Sequence, residues 1–327
     1  MNDQLDWKTL IRRIRAGKFT PIISDRVFFP GNNDLLPRWA DEIGYPYASA
    51  HTLTIAQMAQ YLSATSRDDL TAKEDFLDFS KRYLLETMRV TAASDQHPFL
   101  NRLEGDLPDL TLSELATRLD YPKYDDMLEN PLVILASLPL PIYITTSYYD
   151  FLARALRQLG KKPRTEICYW QPDTLGDIPS VFAEDPDYLP SEQEPLIFHL
   201  NGVDTNPESL VLTEDDYLDF LVKVAQDDAA VPRRVAQALV DSSLVLLGYR
   251  LDDWNFKTLF RGLINTRRDS RRRLSLSIQF EPQGQEIAKP QGVQNYLTKY
   301  FGRANFDIYW GTSPNFLQDL WQQWEGS

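Results

Sequence analysis

Polar side chains follow several apolar segments of the sequence, and their types suit ligand binding or acid–base chemistry. The sets are Ser24-Asp25-Arg26, Thr145-Thr146-Ser147, His199 with Asn201, and Gly248-Tyr249 with Asp252. If the apolar segments are parallel strands, their carboxyl ends meet at one edge of a sheet, where open α/β folds bind ligands. Histidine can exchange a proton near neutral pH, and hydroxyl, carboxyl and carboxamide groups can orient a polar ligand. The sequence therefore predicts a site at this edge.

Strand-like and helix-like segments alternate along the chain. Strands are predicted at residues 19–23, 131–135, 142–146, 165–170, 196–200, 243–247, 274–280 and 306–310. Helices with apolar residues at helical spacing separate most of them, and residues 172–195 are predicted to form a loop rich in Pro and acidic residues. This alternation is typical of an α/β fold, and we expect a Rossmann-like, doubly wound parallel sheet.

The pattern changes between residues 51 and 130, where helix-like segments follow one another without a strand. We interpret residues 51–130 as a helical insertion or subdomain beside the sheet. The remaining segments, 1–50 and 131–327, would form the Rossmann-type domain. Two capping boxes are predicted at helix starts, one from Thr213 with Asp216 and one from Ser147 with Asp150.

Composition excludes several classes of function. The formal net charge of −13 opposes binding to nucleic acid, and we interpret the arginine run at 267–273 as a solvated loop. No apolar run is long enough for a membrane span, and the first residues lack a signal peptide, so we expect a cytoplasmic protein. One cysteine, Cys168, and three widely spaced histidines predict no metal site.

Three ordered segments resemble the sirtuin-like domains of prokaryotes, which occur in phage-defence and signalling proteins. ITTSYYDFLARAL is similar to the family's Ile-Thr-Thr-Asn-Tyr-Asp motif and the helix after it. FHLNG followed by LVLTEDDYLDFL is similar to its Leu-His-Gly motif and the next helix start. SLVLLGYRLDDWNFKTLF is similar to its strand that ends in Gly-Tyr-Ser-Leu-x-Asp. The resemblance covers residues 18–280 and is weakest across the helical insertion.

The resemblance implies a domain that binds NAD, which defence members of the family hydrolyse at the nicotinamide bond. It also implies that the motif asparagine orients water or ribose and that the motif histidine is a general base. Such a site must hold the ribose, exclude bulk solvent and place a base near a ribose hydroxyl. Protein deacetylation is not expected, because sirtuin deacetylases carry a four-cysteine zinc module that this chain cannot form.

The chain departs from the family pattern at the chemical positions. Ser147 stands in place of the asparagine and Asn201 in place of the histidine, and Asn201 cannot accept a proton at physiological pH. His199, two residues earlier on the same predicted strand, lies on the same face and is the candidate substitute. The first loop has Ser24, Asp25 and Arg26 instead of glycines, and no two glycines in the chain lie within three residues of each other. Asp25 would repel a pyrophosphate, and Arg26 could pair with the phosphate or with Asp25.

We therefore expect a catalytically degenerate sirtuin-like module that binds a nucleotide or a protein partner in a defence or signalling system. The alternative is an active NAD hydrolase with a rearranged site. Candidate catalytic residues are Ser147, His199 and Asn201, and candidate cofactor-binding residues are Ser24, Asp25, Arg26, Thr145, Thr146, Gly248, Tyr249 and Asp252. The candidate cofactor is NAD or an NAD-derived nucleotide, with no metal. The candidate partners are another protein or a second copy of the chain, with no nucleic acid and no membrane.

A third interpretation is an interaction protein that binds no nucleotide. The aromatic residues of the C-terminal tail, including Tyr309, Phe316 and Trp321, would be its partner surface, although we expect them to cover the sheet instead.

Overall fold

Seven parallel strands form one sheet within the described part of the chain, in the order β3-β4-β2-β1-β5-β6-β7. The structure is a computed structural model, and it describes residues 5–27, 34–46, 54–66, 68–124, 130–227, 230–249, 256, 258–264, 275–279, 289–303 and 305–327. The strands are β1 (Phe19–Ile23), β2 (Ile142–Thr145), β3 (Arg164–Ile167), β4 (Leu196–His199), β5 (Ser243–Leu247), β6 (Leu276–Gln279) and β7 (Asp307–Trp310). The predicted Rossmann-like, doubly wound sheet is confirmed.

Helices cover both faces of this sheet. In chain order they are α1 (Trp7–Arg15), α2 (Leu35–Glu42), α3 (Ile55–Thr65), α4 (Asp69–Thr91), α5 (His97–Asp106), α6 (Leu112–Arg118), α7 (Pro131–Ser137), α8 (Phe151–Gln158), α9 (Pro172–Leu175), α10 (Val181–Glu184), α11 (Glu214–Gln226), α12 (Arg233–Asp241), α13 (Pro290–Gly302) and α14 (Ser313–Glu325). A π-helical segment, Leu259–Ile264, precedes β6.

Alternating residues of one strand enter two different hydrophobic clusters. On β5, Val245 and Leu247 pack with α1, α4, α7 and α14, whereas Leu244 and Leu246 pack with α11, α12 and α13. Successive side chains of a strand point to opposite faces, so a sheet covered on both faces needs apolar residues at every position. This explains why β5 is apolar throughout.

Residues 131–135, predicted to be a strand, form helix α7, so that prediction is wrong. The Asn130 side chain accepts a hydrogen bond from Leu132 N at 2.9 Å, and Pro131 occupies the first turn, where its missing N–H costs nothing. Five successive residues of α7 are buried, so the short apolar run has no helical periodicity to distinguish it from a strand. The predicted loop at 172–195 likewise contains the short helices α9 and α10.

The helices between β1 and β2 share their core with the sheet. Leu115 of α6 and Phe76 of α4 lie in the same hydrophobic cluster as Tyr143 of β2. Helix α4 also makes a buried ion pair with α11, in which Lys73 Nζ lies 3.2 Å from Asp216 Oδ1. The predicted helices are present, and the division into a sheet domain and a separate helical subdomain stays a prediction.

The C-terminal helix α14 packs against α1 and α7. Phe316 is fully buried and stacks on Trp7 at a ring-centroid distance of 5.8 Å, and Tyr309 meets Phe316 edge-on at 5.2 Å. These aromatic residues therefore pack inside the fold. None of the helices within the described ranges combines the length and apolar character required to cross a membrane.

Candidate functional site

The carboxyl ends of β1, β2 and β5 lie side by side at the edge where the sequence predicts a site. Ile23 is in register with Thr145 on one side and with Leu247 on the other. Ser24, the residue after β1, continues the hydrogen-bond ladder between β1 and β5, since its N–H donates to Leu247 O at 3.0 Å. On the β2 side, Thr146 N donates to Ile23 O at 3.0 Å. We call the ends of these three strands the central edge.

Ser24 and Gly248 are hydrogen-bonded and closely packed at the central edge. The Ser24 hydroxyl donates to Gly248 O at 2.8 Å, and Gly248 has φ +81°, a conformation that favours glycine. A Cβ atom at position 248 would lie 2.4 Å from Ser24 Oγ and 3.0 Å from a methyl carbon of Val27. Glycine is therefore required at position 248 because the backbone there packs closely against other residues of the protein.

The two threonines of the central edge are also bonded internally. Thr145 Oγ1 donates to Ile23 O at 3.1 Å and accepts from Ser147 N at 2.9 Å. Thr146 Oγ1 lies 3.0 Å from the Tyr249 hydroxyl, and Thr145, Thr146 and Tyr249 are all buried. Buried polar groups need such partners, and these residues find them within the protein.

Ser147 does not cap helix α8, so the predicted capping box at this position is wrong. The helix begins at Phe151, and its N-cap is Asp150, which makes no side-chain cap bond. Ser147 Oγ instead accepts from Tyr149 N at 3.2 Å within a turn. Tyr148 and Tyr149 are both buried, so the chain turns to place two aromatic side chains before the helix starts. The capping box of Thr213 with Asp216, in contrast, is confirmed.

Asp25 is the least satisfied polar group of the central edge. It begins a short 3₁₀ turn, Asp25–Val27, and its Oδ1 atom is buried without a hydrogen-bond partner. Burial raises the pKa of Asp25 to about 7, against the opposing effect of a hydrogen bond from the Ser147 side chain. Its neighbour Arg26 is exposed. Asp252, the last predicted cofactor-binding residue, lies outside the described residues, as does the arginine run at 267–273.

Two backbone N–H groups of the first loop are not available to a pyrophosphate. The N–H of Ser24 bonds to Leu247 O and that of Val27 bonds to Ser24 O, whereas a phosphate cradle needs unpaired N–H groups. The Asp25 carboxyl adds like charge. Ser147 and Asp25 are better suited to hydroxyl groups such as those of a ribose than to phosphate.

His199 ends β4, and its side chain bonds to the segment that follows β2. It is buried, and its Nδ1 lies 2.8 Å from Ser147 O. A carbonyl oxygen only accepts hydrogen bonds, so Nδ1 carries the proton and Nε2 keeps its lone pair. Burial lowers the pKa of His199 to about 4, although the bond to Ser147 O opposes this. His199 is therefore a neutral acceptor at physiological pH and a weak base.

Asn201 does not share the partner of His199 and makes different contacts. Its side-chain Nδ2 lies 3.5 Å from the Tyr217 hydroxyl, and its backbone carbonyl accepts from Val211 N at 3.0 Å. The structure thus brings Ser147 and His199 together and directs Asn201 towards helix α11.

A cavity of about 520 Å³ lies between α6, Thr165 of β3 and the carboxyl end of β4. His199 and Tyr148 line it, together with the acidic residues Glu114, Asp150 and Asp204. Asp204 Oδ2 accepts from Ser113 N at 2.7 Å, and burial raises the pKa of Asp204 to about 6. Sequence reasoning missed these carboxyl groups, because Glu114 belongs to the helical insertion and Asp204 to a loop without a motif. We call this space the lateral cavity.

Metal-binding side chains do not cluster within the described ranges. Among those residues, no three His, Cys, Asp or Glu side chains come close enough together to hold a metal ion. Cys168 is buried and its sulfur contacts Ala230 O at 3.2 Å.

Comparison with known families finds a similarity over one continuous segment of the chain. A family model described as a SIR2-like domain matches residues 141–301, a segment that includes β2 and most of α13. A search of curated proteins found no match.

Proposed function

Because a SIR2-like domain model matches residues 141–301, we propose that this part of the chain acts as a binding module without NAD hydrolysis. The state of His199 carries the proposal. This histidine has a pKa near 4, and its Nδ1–H donates a hydrogen bond to the backbone carbonyl oxygen of Ser147. Catalysis of nicotinamide-bond cleavage would need a base whose pKa lies closer to the working pH.

The proposed ligand is an NAD-derived nucleotide bound through its sugar. Asp25, whose Oδ1 is buried without a partner, would accept a hydrogen bond from a ribose hydroxyl, and the Ser147 hydroxyl would hold the Asp25 carboxyl group in place. The resemblance of the motifs to prokaryotic defence and signalling proteins supports the same setting for this chain. In that setting, binding rather than turnover would transmit the signal.

A second candidate function is NAD hydrolysis with Asp25 as the general base. One observation favours it: the pKa of Asp25 is raised to about 7, where a carboxylate is a much stronger base than usual. In this case Ser147 would orient the carboxyl group. His199 would then serve only as a neutral hydrogen-bond acceptor.

Incubation of the purified protein with NAD separates the two candidates. Nicotinamide and ADP-ribose are followed by chromatography for the wild type, Asp25→Asn and His199→Ala. We expect no turnover above the rate without protein, together with a raised thermal midpoint in millimolar ADP-ribose that Asp25→Asn abolishes. Sustained turnover that is lost in Asp25→Asn would establish hydrolysis instead. The absence of both turnover and a thermal shift would favour an interaction protein.

We also propose a protein partner or a second copy of the chain as the module's binding partner. Leu218 and Val222, one turn apart on α11, are 48% and 53% exposed. Apolar side chains adjacent on an exposed helix face suit a protein contact. Sedimentation velocity of the wild type and Leu218→Glu tests self-association.

A further inference from the structure

The exposed side of helix α1 is basic in a chain that is acidic as a whole. Lys8, Arg12 and Arg15 are exposed, and their spacing of three and four residues places them on one side of the helix. The nine residues of α1 include no acidic side chain, whereas the formal net charge of the chain is −13. Asp6, which precedes the helix, caps it by accepting from Thr9 N at 2.9 Å. We call the exposed side of α1 the basic face.

The exposed side of helix α11 combines acidic and apolar residues. Four exposed residues share this side by their helical spacing, namely Asp215, Leu218, Asp219 and Val222. The Asp215 carboxyl group accepts from Gln60 Nε2 at 2.9 Å, and this neutral partner leaves its negative charge in place. We call this side of α11 the acidic face.

Neither face is neutralised by ion pairs among the described residues. The ion pairs formed there do not include Lys8, Arg12, Asp215 or Asp219. Arg15 lies 5.6 Å from the ring centroid of Trp324, a half-buried residue of α14, so apolar surface adjoins the basic face as well. The two faces are therefore complementary in charge, and each offers apolar surface beside its charges.

The two faces lie on opposite sides of the sheet. The buried side of α1 enters one hydrophobic cluster through Leu10 and Ile14, whereas the buried side of α11 enters the other through Phe220 and Val224. One copy of the chain therefore cannot bring its own faces together. A second copy offers both of them, and contact between the faces would join opposite charges and bury apolar side chains.

We infer that the acidic face of one copy docks on the basic face of another copy. The inference rests on the proposed function, in which a second copy is a candidate partner, and it names the surfaces involved. The contact joins two different surfaces, so each copy keeps one unoccupied face and can bind a further neighbour head-to-tail. Residues of the central edge belong to neither face, so docking leaves that edge accessible.

Sedimentation velocity of two variants, alone and mixed, tests this contact. Lys8→Glu with Arg12→Glu reverses the charge of the basic face, and Leu218→Ser with Asp219→Asn removes an apolar and an acidic group from the acidic face. At about 50 mM NaCl, where screening is weak, we expect dimers and larger species for the wild type and monomers for each variant. An equal mixture of the variants should form a dimer and nothing larger, because each supplies the intact face that the other lacks.

A matched control variant changes the same charge elsewhere. Lys299→Glu with Arg303→Glu reverses two exposed basic residues on α13 and at its C-cap, four positions apart as Lys8 and Arg12 are. This variant should associate as the wild type does. Raising the salt to about 0.5 M NaCl should weaken wild-type association at least about tenfold, because the contact depends on exposed charges.

Three results would overturn the docking of these faces. They are a wild type that stays monomeric up to about 100 μM, a mixture of variants that does not dimerise although the wild type associates, and either variant associating alone as the wild type does. The last two results would reject these faces and keep a second copy as the partner.

Each variant is first checked for a wild-type thermal midpoint. A double variant that fails this check is replaced by one of its single substitutions, Arg12→Glu or Asp219→Asn. The midpoint shift in ADP-ribose, measured on the same variants, reports nucleotide binding separately from association. Failure of the docking contact therefore leaves the proposed nucleotide binding standing.

Discussion

The central edge and the lateral cavity differ in how much space the fold leaves beside their polar groups. At the central edge Ser24 bonds to Gly248 and Thr146 to Tyr249, and the backbone at Gly248 packs directly against Ser24. Each region holds one buried carboxyl oxygen without a partner, Asp25 Oδ1 at the central edge and Asp150 Oδ1 beside the lateral cavity, but the free volume of about 520 Å³ belongs to the second region. Motif resemblance marks the first region and free volume marks the second. Polar residues at strand ends can therefore serve a ligand only where the fold also leaves room for it.

The tight packing of the central edge predicts a large cost for Gly248→Ala. A Cβ atom there would lie 2.4 Å from Ser24 Oγ, and the residue would keep φ +81°. Overpacking and left-handed strain together should lower the free energy of unfolding by about 3 kcal/mol. Urea denaturation of the wild type and the variant measures the loss.

Two further variants identify the cause of that loss. Gly160→Ala introduces the same strain at φ +77° with nothing within 4 Å, so it should cost only about 1 kcal/mol. Ser24→Ala removes the clashing oxygen, and the double variant should lose less than the sum of the single variants. Equal costs for Gly160→Ala and Gly248→Ala would mean that the central edge has room for a ligand after all.

The sequence predicts the sheet well because its strands are short, apolar and buried on both faces. β1 and β5 lie where the apolar runs end in polar residues, and the order of motifs places their carboxyl ends together. The helix at 131–137 could not be distinguished from a strand, because it is buried on all sides. Burial alone removes the periodicity on which such a distinction rests.

The site residues could likewise be predicted only where a local sequence pattern reports their position. His199 could be placed at the sheet edge from its strand, but its pKa depends on burial that no motif reports. The lateral cavity depends on the packing of α6 beside β3 and β4, and these elements are far apart in sequence. Long-range packing of this kind leaves no local signal in the chain.

Asp25 gives a prediction that depends on pH. Its pKa is raised from 3.8 to about 7, so the folded protein retains a proton that the unfolded chain releases between these values. The contribution of Asp25 to the free energy of unfolding is therefore fully present at low pH and is lost as the pH rises from about 4 to about 7. In Asp25→Asn this loss is absent, so between pH 4 and pH 8 the free energy of unfolding of the variant should rise by about 4 kcal/mol relative to that of the wild type.

Urea denaturation at several pH values measures this difference. His199, whose pKa is lowered to about 4, acts in the opposite sense, because stability is lost as pH falls from 6.5 towards 4. It is present in both proteins, so its effect cancels in the comparison. A constant difference between wild type and Asp25→Asn across the pH range would show that Asp25 is solvated and that the central edge is open.

The smallest effect is expected at Asp204, which belongs to the lateral cavity but also supports a helix. Its Oδ2 accepts from Ser113 N in the first turn of α6, so Asp204→Ala leaves a buried donor unpaired and should cost about 1 kcal/mol. Asp204→Asn keeps an acceptor and should cost much less, although it removes the negative charge of the carboxylate. Urea denaturation at pH 7.5, above the raised pKa of about 6, compares the two variants. If Asn were as costly as Ala, the ionised carboxylate itself would be needed for folding, and Asp204 would belong to the packed framework of α6 instead of the lining that a ligand could use.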